Sequence, residues 1–511
     1  MARVRGRALE LAQLMAATTK SLERKIERAR KQVELAQLES TLRAYEAANP
    51  TDYHHRRNVD NRSGNGVMEA AGTKLRALSR YLDENHDIAT GILNDLVDNV
   101  VGSGINTLPM VKSASGELLD DVNEQISALY EDWAAAPEVT AELPWGDAQR
   151  LVFRSLLRDG EVFIQHITGG RLDHRTRVPY SQELIEADLC PFDYDEAGAR
   201  YGVIKDQWGR PIAYAFYLEH PGDASSFTQL AQVKRVSADL ITHLKLAKRI
   251  RQTRGAPLMA NIITRLEDLK DLEESKRIQE RVAAAFSAVI KKGDPSMYDS
   301  TRVLADGSRS FEMSAGMIAD NLLPGESVET LGANRPGTGL GDWRRDQIRA
   351  GCAGTGAKYA TVARDYSGSY SAQRQELVES GMVYQPMRNY FAQRYLARTH
   401  RELVNAAIMS GQLRLPREVD RDTLYDAEYQ GPSMPWVDPE KELGAIEKAL
   451  KLDLTTRRDE IIKRGQNPRR VAEQRAKEKA EEMEYAAQQD ELFGQDEQPS
   501  DQQDEGQQNA A

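Results

Sequence analysis

The chain has 511 residues, 40% of them hydrophobic and 29% charged, with a formal net charge of −11. Such a chain buries a sizeable core in roughly two to four domains, and no apolar run approaches the about eighteen residues of a helical membrane span. Its two distant cysteines, Cys190 and Cys352, exclude a disulfide framework and a cysteine-rich zinc site.

The charge is unevenly spread. Residues 1–50 form a basic arm through Arg3, Arg5, Arg7, Lys20, Arg24, Lys25, Arg28, Arg30 and Lys31, and 8–48, free of Gly and Pro, reads as one or two amphipathic helices. The arm lacks the compact apolar core of a signal peptide, so a cytosolic setting is expected. At the other end no basic residue follows Lys479, while acidic residues accumulate among glutamines, which predicts a disordered acidic tail at 489–511.

Between the arm and residue 66, His54, His55, Arg56, Arg57, Arg62 and Gly64-Asn65-Gly66 read as a polar loop. The adjacent histidines lack the i, i+4 spacing of a helical metal site. From 69 to 101 the spacing of Leu75, Leu78 and Leu82, then of Ile88, Ile92, Leu96 and Val100, predicts two helices broken near Asn85. Val100-Val101-Gly102-Ser103-Gly104-Ile105 fails as a dinucleotide loop, because Thr107 stands where a third glycine belongs, and a turn into a strand is expected instead. Helices follow at 117–133 and 145–159, and Asp159-Gly160 turns into a strand at 161–168.

Across 160–250 the period changes to two. Ile212, Tyr214, Phe216 and Leu218 alternate with Ala213, Ala215 and Tyr217 after a turn at 208–211, the pattern of a hairpin in a half-buried antiparallel sheet.

The longest element expected is one uninterrupted helix at 258–292, started by Pro257 and stopped by Gly293. Ile262, Leu266, Leu269, Ile278, Val282 and Phe286 carry its apolar seam, and a length of roughly 50 Å follows from the rise per residue. Such a seam suits a core helix of a large domain or a strut in an oligomer. After a turn-rich stretch at 293–338, a second helix starts with Asp342 as its cap and decays into the small residues 350–357, which predict close packing or a hinge. Gly351 and Gly356 have P-loop spacing, but Lys358 is displaced and Tyr359 replaces the magnesium-binding hydroxyl, so no nucleotide site is expected. Residues 357–371 interleave basic and aromatic side chains, as a solvated loop or a nucleic-acid contact does. A long helix at 371–410 should kink at Pro386, and helices at 439–451, 456–464 and 468–488 complete the ordered part.

Several strings in chain order resemble the portal proteins of tailed bacteriophages, lambda-type branch. They are Val100 to Ile105, Leu184-Ile185-Glu186-Ala187-Asp188, Asp206-Gln207-Trp208-Gly209-Arg210-Pro211, Arg254-Gly255-Ala256-Pro257, Leu323-Pro324-Gly325-Glu326, Tyr370-Ser371 with Arg374, and Trp436-Val437-Asp438-Pro439. Ser369 departs from the asparagine expected before Tyr370-Ser371.

The resemblance implies an α+β, mostly helical portal fold that assembles as a ring, commonly of about twelve subunits. It maps a wing with a β module onto 51–256, the first stem helix onto 257–292, a clip onto 293–338 and the second stem helix onto 339–356. A tunnel loop falls on 357–371 and a long kinked helix with the crown helices on 372–488. It also implies a conduit for double-stranded DNA at one capsid vertex of the virion, without enzymatic activity, cofactor or metal. The implied partners are further copies of the chain, the terminase motor, capsid or scaffolding protein, and head-tail connector proteins. Lys358, Tyr359, Arg364, Tyr366 and Tyr370 are the candidate contacts with DNA in the channel. A shell or scaffolding protein is the alternative, and a packaging ATPase or nuclease would need the P-loop or carboxylate cluster that the sequence does not supply.

Overall fold

The computed structural model describes residues 27, 30–32 and 61–493, apart from 171, 193, 195–198, 224–232, 286–288, 292–326, 330–338 and 433–438. The chain divides into two units, Met1–Ser63 and Gly64–Ala511. In the first, residues 30–32 are helical, and Lys31 pairs with Glu27 at 3.7 Å. His54, His55 and the acidic residues of 494–511 lie outside the described residues.

In the second unit, α1 (Gly64–Asn85) and α2 (Asp87–Val100) are separated at His86, whose Nδ1 accepts the N–H of Ile88 and whose ring caps α2. The glycines at 64 and 66 open α1 and are not a loop, which corrects the expectation at 64–66; residues 51–60 lie outside the described residues. After strand β1 (Asn106–Pro109) come α3 (Asp120–Ala134) and α4 (Trp145–Asp159).

Gly160 ends α4 in the left-handed region at φ 85°, where a side chain would also collide with the backbone of Ala256 at 2.3 Å. The chain reverses there into β2 (Glu161–Thr168). This strand is the middle of an antiparallel sheet in the order β3-β2-β8, with β3 at Tyr180–Ile185 and β8 at Ile241–Lys245. A second sheet, β4-β5-β6-β7, consists of Ala199–Arg200, Val203–Lys205, Pro211–Tyr217 and Val233–Ser237. Phe163 of β2 joins the two sheets, edge-on to Tyr214 and Phe216 at 5.5 and 5.3 Å and stacked on His243 at 4.2 Å. The half-buried alternation read at Ile212–Leu218 is not kept: Tyr214, Ala215 and Phe216 are all buried in the middle of β6, while Ile212 near its start and Leu218 just past its end are exposed.

A network of charges lies beneath this junction. Glu161, fully buried, accepts from Arg254 Nε at 2.8 Å, from Arg76 Nη2 at 3.1 Å, from the Gly255 N–H at 2.9 Å and meets His243 Nε2 at 3.1 Å. Arg254 also donates to the carbonyls of Ala187, Cys190 and Tyr201. The surrounding guanidiniums hold the Glu161 carboxyl well below the usual carboxylate range against the opposing effect of burial.

The expected helix at 258–292 is shorter and interrupted. A 3-10 turn at Leu258–Asn261 precedes α5 (Ile263–Ala285), and residues 289–291 are a strand, β9, that pairs antiparallel with β10 at Ser327–Glu329. The β-branched Val289 and Ile290 take an extended backbone once a partner strand supplies the hydrogen bonds that the helix would have satisfied. A helix of that span is roughly 35 Å long.

The second helix, α6 (Leu340–Thr355), has Gly339 at its cap position, three residues ahead of the expected one; Asp342 falls in its first turn, where it faces the helix dipole and caps nothing. The small residues near its end are helical and let it press on the start of α5: Asn261 Nδ2 donates to Gly354 O at 3.1 Å, and a methyl at 354 would meet Ile262 at 3.0 Å. Close packing is therefore their structural role. The long C-terminal pattern is α8 (Tyr370–Phe391), a π turn at Ala392–Leu396 and α9 (Ala397–Met409). Pro386 stays within α8, and the irregularity expected there lies at the π turn instead. Strand β11 (Ala427–Gln430) then pairs antiparallel with β1, and α10 (Pro439–Lys451), α11 (Arg457–Lys463) and α12 (Pro468–Phe493) follow.

Candidate DNA-channel loop and its anchorage

Helix α6 stops at Gly356, in the left-handed region at φ 82°, with its N–H bonded to Cys352 O at 2.7 Å. The next stretch, expected as a loop, contains the short helix α7 (Tyr359–Ala363). Arg364 ends α7 at φ 52°, and Ser369 caps α8 by accepting the Ala372 N–H.

The segment is anchored on α2. Asp95, buried in that helix, accepts the Lys358 backbone N–H at 2.9 Å, the Tyr384 hydroxyl at 2.8 Å and Asn99 Nδ2 at 3.1 Å. The Lys358 ammonium turns the same way, 3.4 Å from Asn99 Oδ1, 4.0 Å from Asp95 and 5.8 Å above the Tyr384 ring. Its side chain is only 13% exposed. Val362 of α7 reaches α2 at Gly91, where the missing side chain leaves it room.

The outer side differs. Tyr359 donates its hydroxyl to Asp365 at 2.9 Å, and the Arg349 guanidinium lies 4.8 Å over its ring. Hydrogen bonds from Ser367, with that from Tyr359, hold the Asp365 carboxyl at about 2. Burial and the Asp365 carboxylate raise the Tyr359 hydroxyl. Arg364 is exposed, as are Tyr366 at 58% and Tyr370 at 49%, with Arg374 Nη1 3.4 Å from the Tyr370 hydroxyl.

Of the five candidate contacts, Arg364, Tyr366 and Tyr370 thus face outward, Tyr359 braces the turn, and Lys358 points into the chain. Asp95 and Tyr384 were missed because they are 263 and 289 residues apart in sequence from the groups they hold, and no local spacing signals them.

The candidate stem residues also divide. Ile262, Leu266 and Leu269 are buried within the chain, and His86 Nε2 donates to Leu266 O at 2.9 Å. Ile278 is 52% exposed beyond the point where Arg344 of α6 pairs with Glu273 at 2.5 Å. The side chains of Val282 and Phe286 lie outside the described residues.

Among the described residues one His/carboxylate group, Glu186, Asp188 and His220, brings ligand atoms within 4.8 Å of one another. Asp188 is already paired with Arg76 at 2.9 Å and Arg80 at 2.5 Å, and two guanidiniums at that distance oppose a bound cation. The stretch with P-loop spacing is the helical end of α6 and its cap, not a loop between strand and helix.

The family model for phage portal proteins of the lambda family matches residues 52–388. The chain belongs to that family. The probable portal protein of Halomonas phage phiHAP-1 is 22% identical over 408 residues, covering 77% of each chain. The portal protein of Escherichia phage N15 is 23% identical over 256 residues, covering 45% of this chain and 48% of the relative. Among solved structures, a chain from the neck of a native GTA particle computed with C12 symmetry has a TM-score of 0.47 at 12% identity, covering 79% of this chain and 99% of that one. Portal proteins are structural components, and the order of elements in this portal chain places the outward side of 357–371 directly after the α5/α6 pair.

Proposed function

We propose that this portal chain forms a closed ring of about twelve copies at one vertex of a capsid, with an axial hole that passes double-stranded DNA during packaging and ejection. Membership in the portal family across 52–388 is the observation that carries the reading. The exposed half of α5 supports it, since Leu272 and Ile278 stand exposed among mixed charges, an apolar surface for a neighbour to cover. In a ring, the same half of the next copy supplies one. An ATP-driven terminase is the separate source of force, and capsid and head-tail connector proteins are the other partners in this reading.

The acidic balance of the chain suits a conduit. Duplex DNA carries one charge per about 1.7 Å, so a wall about 35 Å long faces roughly twenty phosphates. A lumen matching most of them with lysine and arginine would release counterions and hold the duplex tightly. Sequence-blind sliding needs few cations, and Arg364 with Tyr366 and Tyr370 is the contact surface this chain offers. Lys358 is assigned to holding the loop against α2 and not to touching DNA.

The test is Arg364→Ala carried by the assembled particle. Rings should form normally in electron micrographs while the yield of DNA-filled heads falls several-fold. Filled heads at the wild-type yield would remove Arg364 from the contact surface, and purified chain that stays monomeric under all assembly conditions would remove the ring.

A further inference from the structure

Lys205 at the end of β5 and Lys245 at the end of β8 converge beneath the turn at 206–211. The Lys245 ammonium donates to Gln252 O at 2.6 Å and to Thr253 O at 2.9 Å, while Lys205 donates to the hydroxyl of the same Thr253 at 2.5 Å. An ammonium has three donors. Two of those on Lys245 and one on Lys205 are used, which leaves three for the pocket that both residues line.

Neither charge is met by a contact ion pair, although Glu161 lies across β2 and β8 from Lys245 and raises its proton affinity. Among the described residues neither ammonium has a carboxylate oxygen within 4.0 Å. Asp206 lines the pocket, but its Oδ1 is turned to the N–H groups of Trp208 and Arg210 at 2.9 and 2.8 Å. Glu161 is committed to Arg254, Arg76 and His243. Burial lowers the proton affinity of both lysines, and for Lys245 the neighbouring Lys205 lowers it further. The pocket has a volume of about 360 Å³, with Trp208, 72% exposed, and Arg251 at its rim.

We infer that this pocket binds a phosphate-type dianion, held by the Lys205 and Lys245 ammonium groups. Two unpaired positive charges call for two negative ones, and three free donors match the three terminal oxygens of phosphate or a phosphomonoester. A carboxylate neutralises one charge only. So does each diester of a DNA backbone, and a duplex about 20 Å wide does not enter a pocket of this size.

Titration calorimetry of the purified full-length chain with inorganic phosphate, at ionic strength matched with chloride, tests the assignment. One saturable site per chain is expected, together with a rise in melting temperature. Lys205→Met and Lys245→Met should each weaken binding at least about tenfold while remaining folded by circular dichroism. Lys205 makes a single bond, so its variant keeps the test readable if Lys245→Met fails to fold. Glutamate and a duplex oligonucleotide should not displace the phosphate, whereas a nucleoside monophosphate should. No saturable heat with the wild type, or wild-type affinity in folded Lys205→Met, overturns the site. Displacement by glutamate overturns the dianion assignment, and displacement by the duplex overturns the monoester source. Arg364→Ala binds phosphate as the wild type does, so the outcome is separable from that of the channel experiment.

Discussion

The buried carboxylate of Asp95 accepts the hydroxyl of Tyr384 at 2.8 Å, and its remaining acceptor capacity goes to the Lys358 N–H at 2.9 Å and to Asn99. One side chain of α2 thereby fixes both the entrance of the 357–371 segment and the helix that follows it. Asp95→Ala leaves a hydroxyl and an amide without partners, a loss of about 2–3 kcal/mol for a buried charged acceptor. Urea unfolding should report that loss. Tryptic cleavage after Lys358 and Arg364 should accelerate in the native state, since the segment is freed before the remainder unfolds. Tyr384→Phe removes one bond only and should lose about 1 kcal/mol.

Acid sensitivity should appear in two steps. His400 is fully buried with neither ring nitrogen bonded, and burial lowers its protonation to about 4 from the ordinary 6.5; burial also lowers His243 to about 4. The unfolded chain then binds protons that the folded chain does not, so stability is complete above pH 6.5 and declines as pH falls towards 4. A shift of that size on one buried histidine corresponds to roughly 3 kcal/mol. Glu161 acts in the same direction at lower pH: its lowered carboxyl stabilises the fold above about pH 4.5, and that part is lost only below it. Melting temperatures of wild type and His400→Leu between pH 7 and about 3 separate the two. The variant should show a shallower decline above pH 4.5 and the same fall beneath it.

Arg254→Ala should be among the most damaging substitutions in the chain. It strips Glu161 of its closest cation and leaves the carbonyls of Ala187, Cys190 and Tyr201 facing a void. Breaking a buried pair by removing one partner is worth about 3–5 kcal/mol. Arg254→Lys should not rescue it, because a single ammonium cannot span the carboxylate and three carbonyls that the planar guanidinium reaches. Equilibrium denaturation, or soluble yield if the variant fails to fold, gives the reading.

Gly255→Ala should destabilise by more than about 2 kcal/mol through contact alone. Its added methyl would fall 2.0 Å from the Gly160 carbonyl oxygen, a backbone atom with no freedom to withdraw. Gly116→Ala tests the alternative cause: it has a positive φ of 89° and open space, so it should lose only about 1 kcal/mol from the left-handed backbone. Thermal melts of the two variants rank packing against conformation.

Elements whose signals are local were legible in the sequence. Residues 145–159 and 161–168 were read with the bounds they have, because Gly160 terminates a helix and opens an alternating strand within a few positions. The 258–292 stretch misled for the opposite reason. Val289 continues the helical spacing of Ile278, Val282 and Phe286, yet its conformation is decided by Glu329, its partner across β9 and β10. The same limit applies to the candidate site. Interleaved basic and aromatic residues marked 357–371, but composition could not show that Lys358 turns towards Asp95 while Arg364 turns away. Nor does any periodicity announce that Arg254 and Glu161 are interior groups, since a charged residue reads as surface until its partners, 93 residues apart, are seen together.

The pairing of Lys291 with Ser327 brings the two ends of 292–326 to adjacent strands, about 5 Å apart, in a register set by β9 and β10. The entry and exit of the intervening stretch lie side by side, so a change in its length alters loop-closure entropy only logarithmically. The two strands make a graft point: that stretch can be shortened, or exchanged for one from a relative, while the helices that carry it keep their places.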